Sequence, residues 1–167
     1  METLKSFVEN YSLAPQIVDH GKVPPGLILE ATTTRQLAVV ESFMRYWFHE
    51  TSYGFGVQIT YPGRKYFLIL HPEKHQGSKS VAIGAMEISG YQSDEPILEW
   101  IWLHPLFRKG TAKGSVGEGY AAPALKILLN IFPSLEVHLS KTLGPARHRM
   151  RDLWRRVHAT PDTDTQS

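Results

Sequence analysis

The sequence predicts a mixed α/β domain in which one central, mostly antiparallel sheet carries helices on both faces. Three observations predict it. Apolar residues recur at helical spacing before residue 50 and again after residue 120, while the fifty residues between them fall into short β-rich runs. Of the 167 residues, 42% are hydrophobic and 11% aromatic, enough to bury a core at this length. The resulting order of strand, helix, antiparallel meander, helix, strand and helix closes into a sheet sandwiched between helices. A single domain over 1–158 is expected, followed by a polar tail, ATPDTDTQS at 159–167, that reads as disordered.

Each element has its own signal. Leu4, Phe7, Val8 and Tyr11 lie at helical spacing, and Pro15 with VPPG at 23–26 stops any continuation. Leu27, Ile28 and Leu29 read as a strand. Thr33 or Thr34 then caps a helix whose stripe is Leu37, Val40, Met44, Trp47 and Phe48, running to about Glu50. FGVQIT, KYFLIL, SVAIGAMEIS and PILEWIWL are β-rich runs separated by YPGR, PEKHQGSK and QSDE, which predicts a meander of three or four strands. Pro123 belongs in the first turn of the next helix, because its missing N–H costs nothing there, so that helix begins near Tyr120 or Ala121. A strand at Leu135 to Leu139 and a helix at Ala146 to Val157, with Met150, Leu153, Trp154 and Val157 on one stripe, complete the chain.

Composition excludes several kinds of chemistry. With 18 basic and 16 acidic residues the net charge is +2, short of the excess a nucleic-acid coat carries. No cysteine is present, so there is no disulfide framework, cysteine zinc site or thiol nucleophile. His20, His49, His71, His75, His138, His148 and His158 lack metal-ligand spacing, and no metal is expected. His75 is expected in a loop. No apolar run reaches about 18 residues, and Glu2, Glu9 and Asn10 interrupt the opening segment, so a cytoplasmic protein with no membrane partner is expected.

The stretch ILEWIWLHPLFRKGTAKGSVGEGYAAPALKILL is the richest in chemistry. A strand runs into a loop holding Gly110, Gly114, Gly117 and Gly119, and the loop runs into a helix start. Bare amides and the positive end of the helix dipole then converge on one place, as an anion requires. Arg108, Lys109 and Lys113 add positive charge. Glycine clustering alone also describes a plain surface loop, and no Walker pattern is present.

WLHPLFRKG, preceded by ILEWI, resembles the fourth strand and the start of the acetyl-CoA-binding motif of the GCN5-related N-acetyltransferases. Pro105 and Arg108 match at the family's spacing, with Leu103 in the usual Val position and Phe107 in an aromatic one. KYFLIL and SVAIGAMEIS resemble its second and third strands, Gly84 included, and Leu135 to Leu139 its fifth. The resemblance implies a GNAT-like fold over about residues 26–158 and an acyl-CoA-dependent N-acyltransferase. It would move acetyl from acetyl-CoA to a primary amine, on a small molecule or a peptide, by direct attack. It further implies that the pantetheine arm pairs with backbone near Trp102 and Leu103 in a wedge between the fourth and fifth strands. The pyrophosphate would then rest on Arg108, Lys109 and the amides at Gly110, Gly114, Gly117 and Gly119. Glu99, on the strand lining the site, is implied as the base that takes the proton of the amine, since an ammonium cannot attack a thioester. Its bland reading is a solvent-facing strand residue opposite Trp100.

Three departures from the family pattern qualify these expectations. The loop after Arg108 is longer, so the phosphate amides come either from RKGTAKG or from GSVGEG, with GSVGEG favoured because it directly precedes the Pro123 turn. Trp154 stands where the family often has a tyrosine acid, and indole cannot serve as one. Only Ala159 to Ser167 follow the last helix, where the family adds two strands. The acceptor pocket is therefore expected to be open, completed by a second subunit of a homodimer, or built from TSYGFGVQITYPGRK. His104 is an alternative base, expected at the exposed end of its strand. ARHRMRDLWRRVH places five arginines in 13 residues, which suits nucleic acid but better suits the solvated face of a helix packed on a sheet. Two rival functions follow: a catalytically impaired binding or regulatory module on the same fold, and a nucleic-acid-associated protein using this helix.

Overall fold

The computed structural model describes residues 3–9, 15–22, 26–51, 63–107 and 120–137, together with Trp154, Arg155 and Val157. The expected strand FGVQIT, the end of the Leu135 to Leu139 strand, most of the last helix and the tail lie outside the described residues.

The elements in chain order are α1 (Leu4–Glu9), β1 (Gln16–Asp19), β2 (Ile28–Glu30), α2 (Thr34–Thr51), β3 (Arg64–Gln76), β4 (Lys79–Ser89) and β5 (Ile97–Leu103). A 3-10 turn at Pro105–Phe107, α3 (Ala121–Ile131) and β6 (Glu136–Val137) follow. They form a six-stranded open sheet in the order β2-β3-β4-β5-β6, antiparallel except for the β5–β6 pair, with β1 also on β4. Since β3 and β1 both pair with Lys79 and Ser80, β1 occupies the edge of β4 that β5 occupies further along.

Helices cover both faces, as the order of elements predicts. On one face α2 lays Val40, Phe43, Met44 and Trp47 over Leu68, Leu70, Ala82, Ala85, Trp100 and Trp102. On the other, Ala124, Leu125 and Leu128 of α3 pack with Ile69, Ile83, Met86, Ile88, Leu98 and Leu103, and Leu4 and Val8 of α1 join them. Trp154 and Val157 reach the same α3-side cluster, so two members of the predicted stripe of the last helix face the core.

Local signals set the ends of α2 and α3. Thr33 rather than Thr34 caps α2: its Oγ1 accepts the Gln36 N–H at 3.1 Å while Gln36 Oε1 accepts the Thr33 N–H at 3.2 Å, a reciprocal capping box. The Gln36 amide also donates to the Asp19 carbonyl at 2.8 Å, which ties α2 to β1. Helix α3 begins at Ala121 after Tyr120, with Pro123 in its first turn.

Among the described residues the register shifts by one residue at two places, besides a larger shift between Leu70 and His75 of β3. Ile69 pairs with Gly84 and Leu70 with Ala82, leaving Ile83 extra on β4. Glu87 pairs with Trp100 and Ile88 with Leu98, leaving Glu99 extra on β5. Gly84 is needed where β4 and β5 meet, because a Cβ there would lie 2.3 Å from the Trp102 carbonyl oxygen.

Candidate functional site

Glu99 stands in the β5 bulge, and a bulge re-aims a side chain that strict alternation would send elsewhere. Two-residue alternation would place Glu99 on the α3 side with Leu103. Instead it meets Ser89, which alternates with Ile88 of the α3-side core and so belongs to the α2 side. The Ser89 hydroxyl donates to Glu99 Oε1 at 2.6 Å. With 6% of its surface exposed, Glu99 is not the solvent-facing residue of the bland reading.

A second carboxylate shares this end of the sheet. Glu87, 5% exposed, is the partner of Trp100 in the β4–β5 register and of Tyr66 in the β3–β4 register. Arg64, two residues before Tyr66, forms an ion pair with Glu87. The buried charge is thereby compensated, which a carboxylate in an apolar setting requires. Trp47 of α2 stacks on Trp100, with ring centroids 5.8 Å apart, and walls the group on the helix side. Glu99 and Glu87 thus come from adjacent strands, each held by a different hydrogen-bond donor.

The other end of β5 carries the phosphate-loop prediction. Trp102 and Leu103 are both buried, and β4 holds one edge of the strand through the pairs Ala85–Trp102 and Gly84–Leu103. Trp102 also packs its ring against Phe43 and Tyr46 of α2. On the other edge, the described pairing with β6 covers Ile97 and Leu98. Arg108, Lys109, Gly110, Gly114, Gly117 and Gly119 lie outside the described residues.

What is described is the neck of that loop. The Tyr120 N–H donates to the Phe107 carbonyl at 3.0 Å and the two rings stack 6.0 Å apart, so the chain leaves and re-enters at one point. One expectation is corrected by this bond. The bare amides at this helix start were expected to converge on an anion, but that of Tyr120 is already engaged. Ala124 makes the first bond within α3, to the Tyr120 carbonyl, and leaves the amides of Ala121 and Ala122 ahead of it.

His104 is a second correction. It is buried, at 3% exposure, not placed at an exposed strand end. Its N–H continues the β4–β5 ladder to the Ile83 carbonyl at 2.8 Å, and its Nδ1 accepts the Leu106 N–H at 3.2 Å. Its ring meets Phe107 edge-on. His75, expected in a loop, lies in β3 opposite Ser80, because β3 runs on past Pro72.

His71, to which the sequence assigned no role, packs edge-on against both Phe107 and Tyr120 at 5.4 and 5.6 Å, and its Nδ1 accepts the Glu73 N–H. Burial holds its pKa below the usual 6.5, Lys74 lowers it further and Glu73 opposes them. Arg64, Glu87 and Ser89 were also missed. The signal for the last two was present: a Glu and a Ser at alternate positions closing the run SVAIGAMEIS, whose residues 81–86 carry no polar side chain.

Among the described residues no three His, Asp or Glu side chains converge as metal ligands, and no helix is long and apolar enough to cross a membrane. No family model, curated protein or solved structure matches the chain.

Proposed function

We propose that this protein is an acyl-CoA-dependent N-acyltransferase that moves acetyl from acetyl-CoA to a primary amine by direct attack. The observation that carries the reading is Glu99: a buried carboxylate, set in the β5 bulge and held by a hydroxyl. Such a group is suited to accept a proton from an amine docked against the sheet. The arrangement around it supports the same reading. β2 and α2 precede an antiparallel meander β3-β4-β5, which is followed by α3 and a parallel β6, the order the resemblance to the GCN5-related fold implies.

In this scheme the amine nitrogen attacks the thioester carbonyl, Glu99 takes the nitrogen's proton, and the carbon–sulfur bond breaks to release CoA as its thiolate. Backbone near Trp102 and Leu103 aligns the pantetheine arm, and Arg108, Lys109 and the glycines at 110, 114, 117 and 119 hold the pyrophosphate. The joined neck at Phe107 and Tyr120 brings both ends of that loop to the start of α3. Titration calorimetry with acetyl-CoA tests the reading. Saturable binding that weakens in Arg108→Ala supports it, and no heat of binding at millimolar acetyl-CoA refutes it.

A second reading, the same fold without turnover, is favoured by Trp154. Its indole packs against the apolar α3-side cluster and offers no acid for a departing thiolate. Acetyl-CoA binding without thiol release from any amine would select this reading.

A further inference from the structure

We propose that Ser89 is a positioning residue for Glu99: the antiparallel register of β4 brings its hydroxyl beside the β5 bulge, where it holds the carboxylate ready to accept a proton. The inference rests on the transferase reading for its consequence in catalysis, but its physical core, the coupling of Ser89 to Glu99, does not.

Three features single out this serine. It is the last residue of β4, and the next residue, Gly90, takes a positive φ of 63°. The Ser93 N–H and hydroxyl both return to the Gly90 carbonyl, at 3.0 and 2.7 Å, so the turn anchors the strand end in place. Ser89 also pairs with Arg64 on one side and Ile97 on the other, which sets its height against the bulge. Finally, its hydroxyl donates rather than accepts, and donation to a carboxylate favours the ionised form that a base needs.

The charged and titratable groups around Glu99 come from several elements. Glu87 lies on β4, Arg64 and Tyr66 on β3, and Glu136 on β6 opposite Ile97, while α2 contributes the apolar Trp47. Arg64 forms an ion pair with the neighbouring carboxylate, Glu87. Ser89 acts on Glu99 itself. A hydrogen bond to a charged group is strong enough that its loss should raise the Glu99 pKa by about one unit.

The test follows the Glu99 carboxyl carbon by NMR across a pH titration of full-length wild type, Ser89→Ala and Ser89→Thr, with thiol release from acetyl-CoA measured over the same pH range. Glu99 should titrate about one unit higher in Ser89→Ala and return toward wild type in Ser89→Thr, which keeps the donor. The acidic limb of the kcat/KM profile should move alkaline by the same amount. If Glu99 titrates identically in wild type and Ser89→Ala, the proposal is overturned. An unchanged pH profile beside a shifted Glu99 titration overturns the positioning role. Should Ser89→Ala not fold, Ser89→Cys, similar in size and a weaker donor, takes its place with the same directions expected. A shifted titration in a protein that releases no thiol upholds the Ser89–Glu99 coupling while removing the transferase reading, so the two failures are distinguishable.

Discussion

Gly84→Ala probes the contact on which the placement of β5 depends. The added Cβ would lie 2.3 Å from the Trp102 carbonyl oxygen, 3.0 Å from Leu103 Cα and 3.2 Å from the Trp102 carbonyl carbon. Ordinary carbon–oxygen contacts start near 3.3 Å, so β4 and β5 must separate by roughly 1 Å. All three obstacles are backbone atoms, and no side chain can swing aside. Overpacking of this kind costs up to about 3 kcal/mol, and weakening the bond from His104 N–H to the Ile83 carbonyl adds up to about 1 kcal/mol. Against this, the stiffer unfolded chain of the alanine variant returns less than about 1 kcal/mol. A net loss near 3 kcal/mol should lower the urea midpoint by about 1.5 M at a slope of about 2 kcal/mol per M. A midpoint lowered by less than about 0.5 M would refute the Gly84–Leu103 register, and with it the bulge that presents Glu99.

Other perturbations follow from the same geometry. Arg64→Leu should cost about 3 kcal/mol by leaving Glu87 buried without its partner, and the double variant with Glu87→Leu should recover most of that loss in urea melts. Because His71 has a folded pKa below its unfolded value, the native state resists protonation there. Its stabilising effect is complete above pH 6.5 and is lost as pH falls from that point through the folded pKa. The unfolding free energy of wild type should therefore drop more steeply as pH falls below 6.5 than that of His71→Asn, and parallel slopes would contradict this. Gln36→Ala removes the capping box and the bond to Asp19 together, and should destabilise the protein by about 2 kcal/mol in thermal or urea unfolding.

Much of the architecture was legible in the sequence because it rests on local patterns. The Thr33 cap, the Pro123 turn and the meander KYFLIL, SVAIGAMEIS, PILEWIWL each carry their own periodicity or punctuation, and each forms at the predicted place. What was not legible depends on pairing between distant residues. Strand β1 has four residues and no helix or strand signature of its own, and exists because β4 offers it an edge. The β5 bulge leaves no mark in ILEWIWL, which is apolar on both faces, so the direction of Glu99 could not be read from alternation. His104 was expected at the exposed end of its strand, whereas the turn at Pro105–Phe107 folds Phe107 back over its ring. The ion pair of Arg64 with Glu87 spans 23 positions of sequence and follows only from the β3–β4 register.

The proposed chemistry stands or falls on Glu99 as the base. The most direct measurement is thiol release from acetyl-CoA across a panel of primary amines, comparing wild type with Glu99→Gln, a near-isosteric change that keeps the oxygen facing Ser89 and removes the basic carboxylate. The account predicts amine-dependent release by the wild type and a fall of about a hundredfold or more in the variant, with acetyl-CoA binding retained. Undiminished release by Glu99→Gln would contradict it.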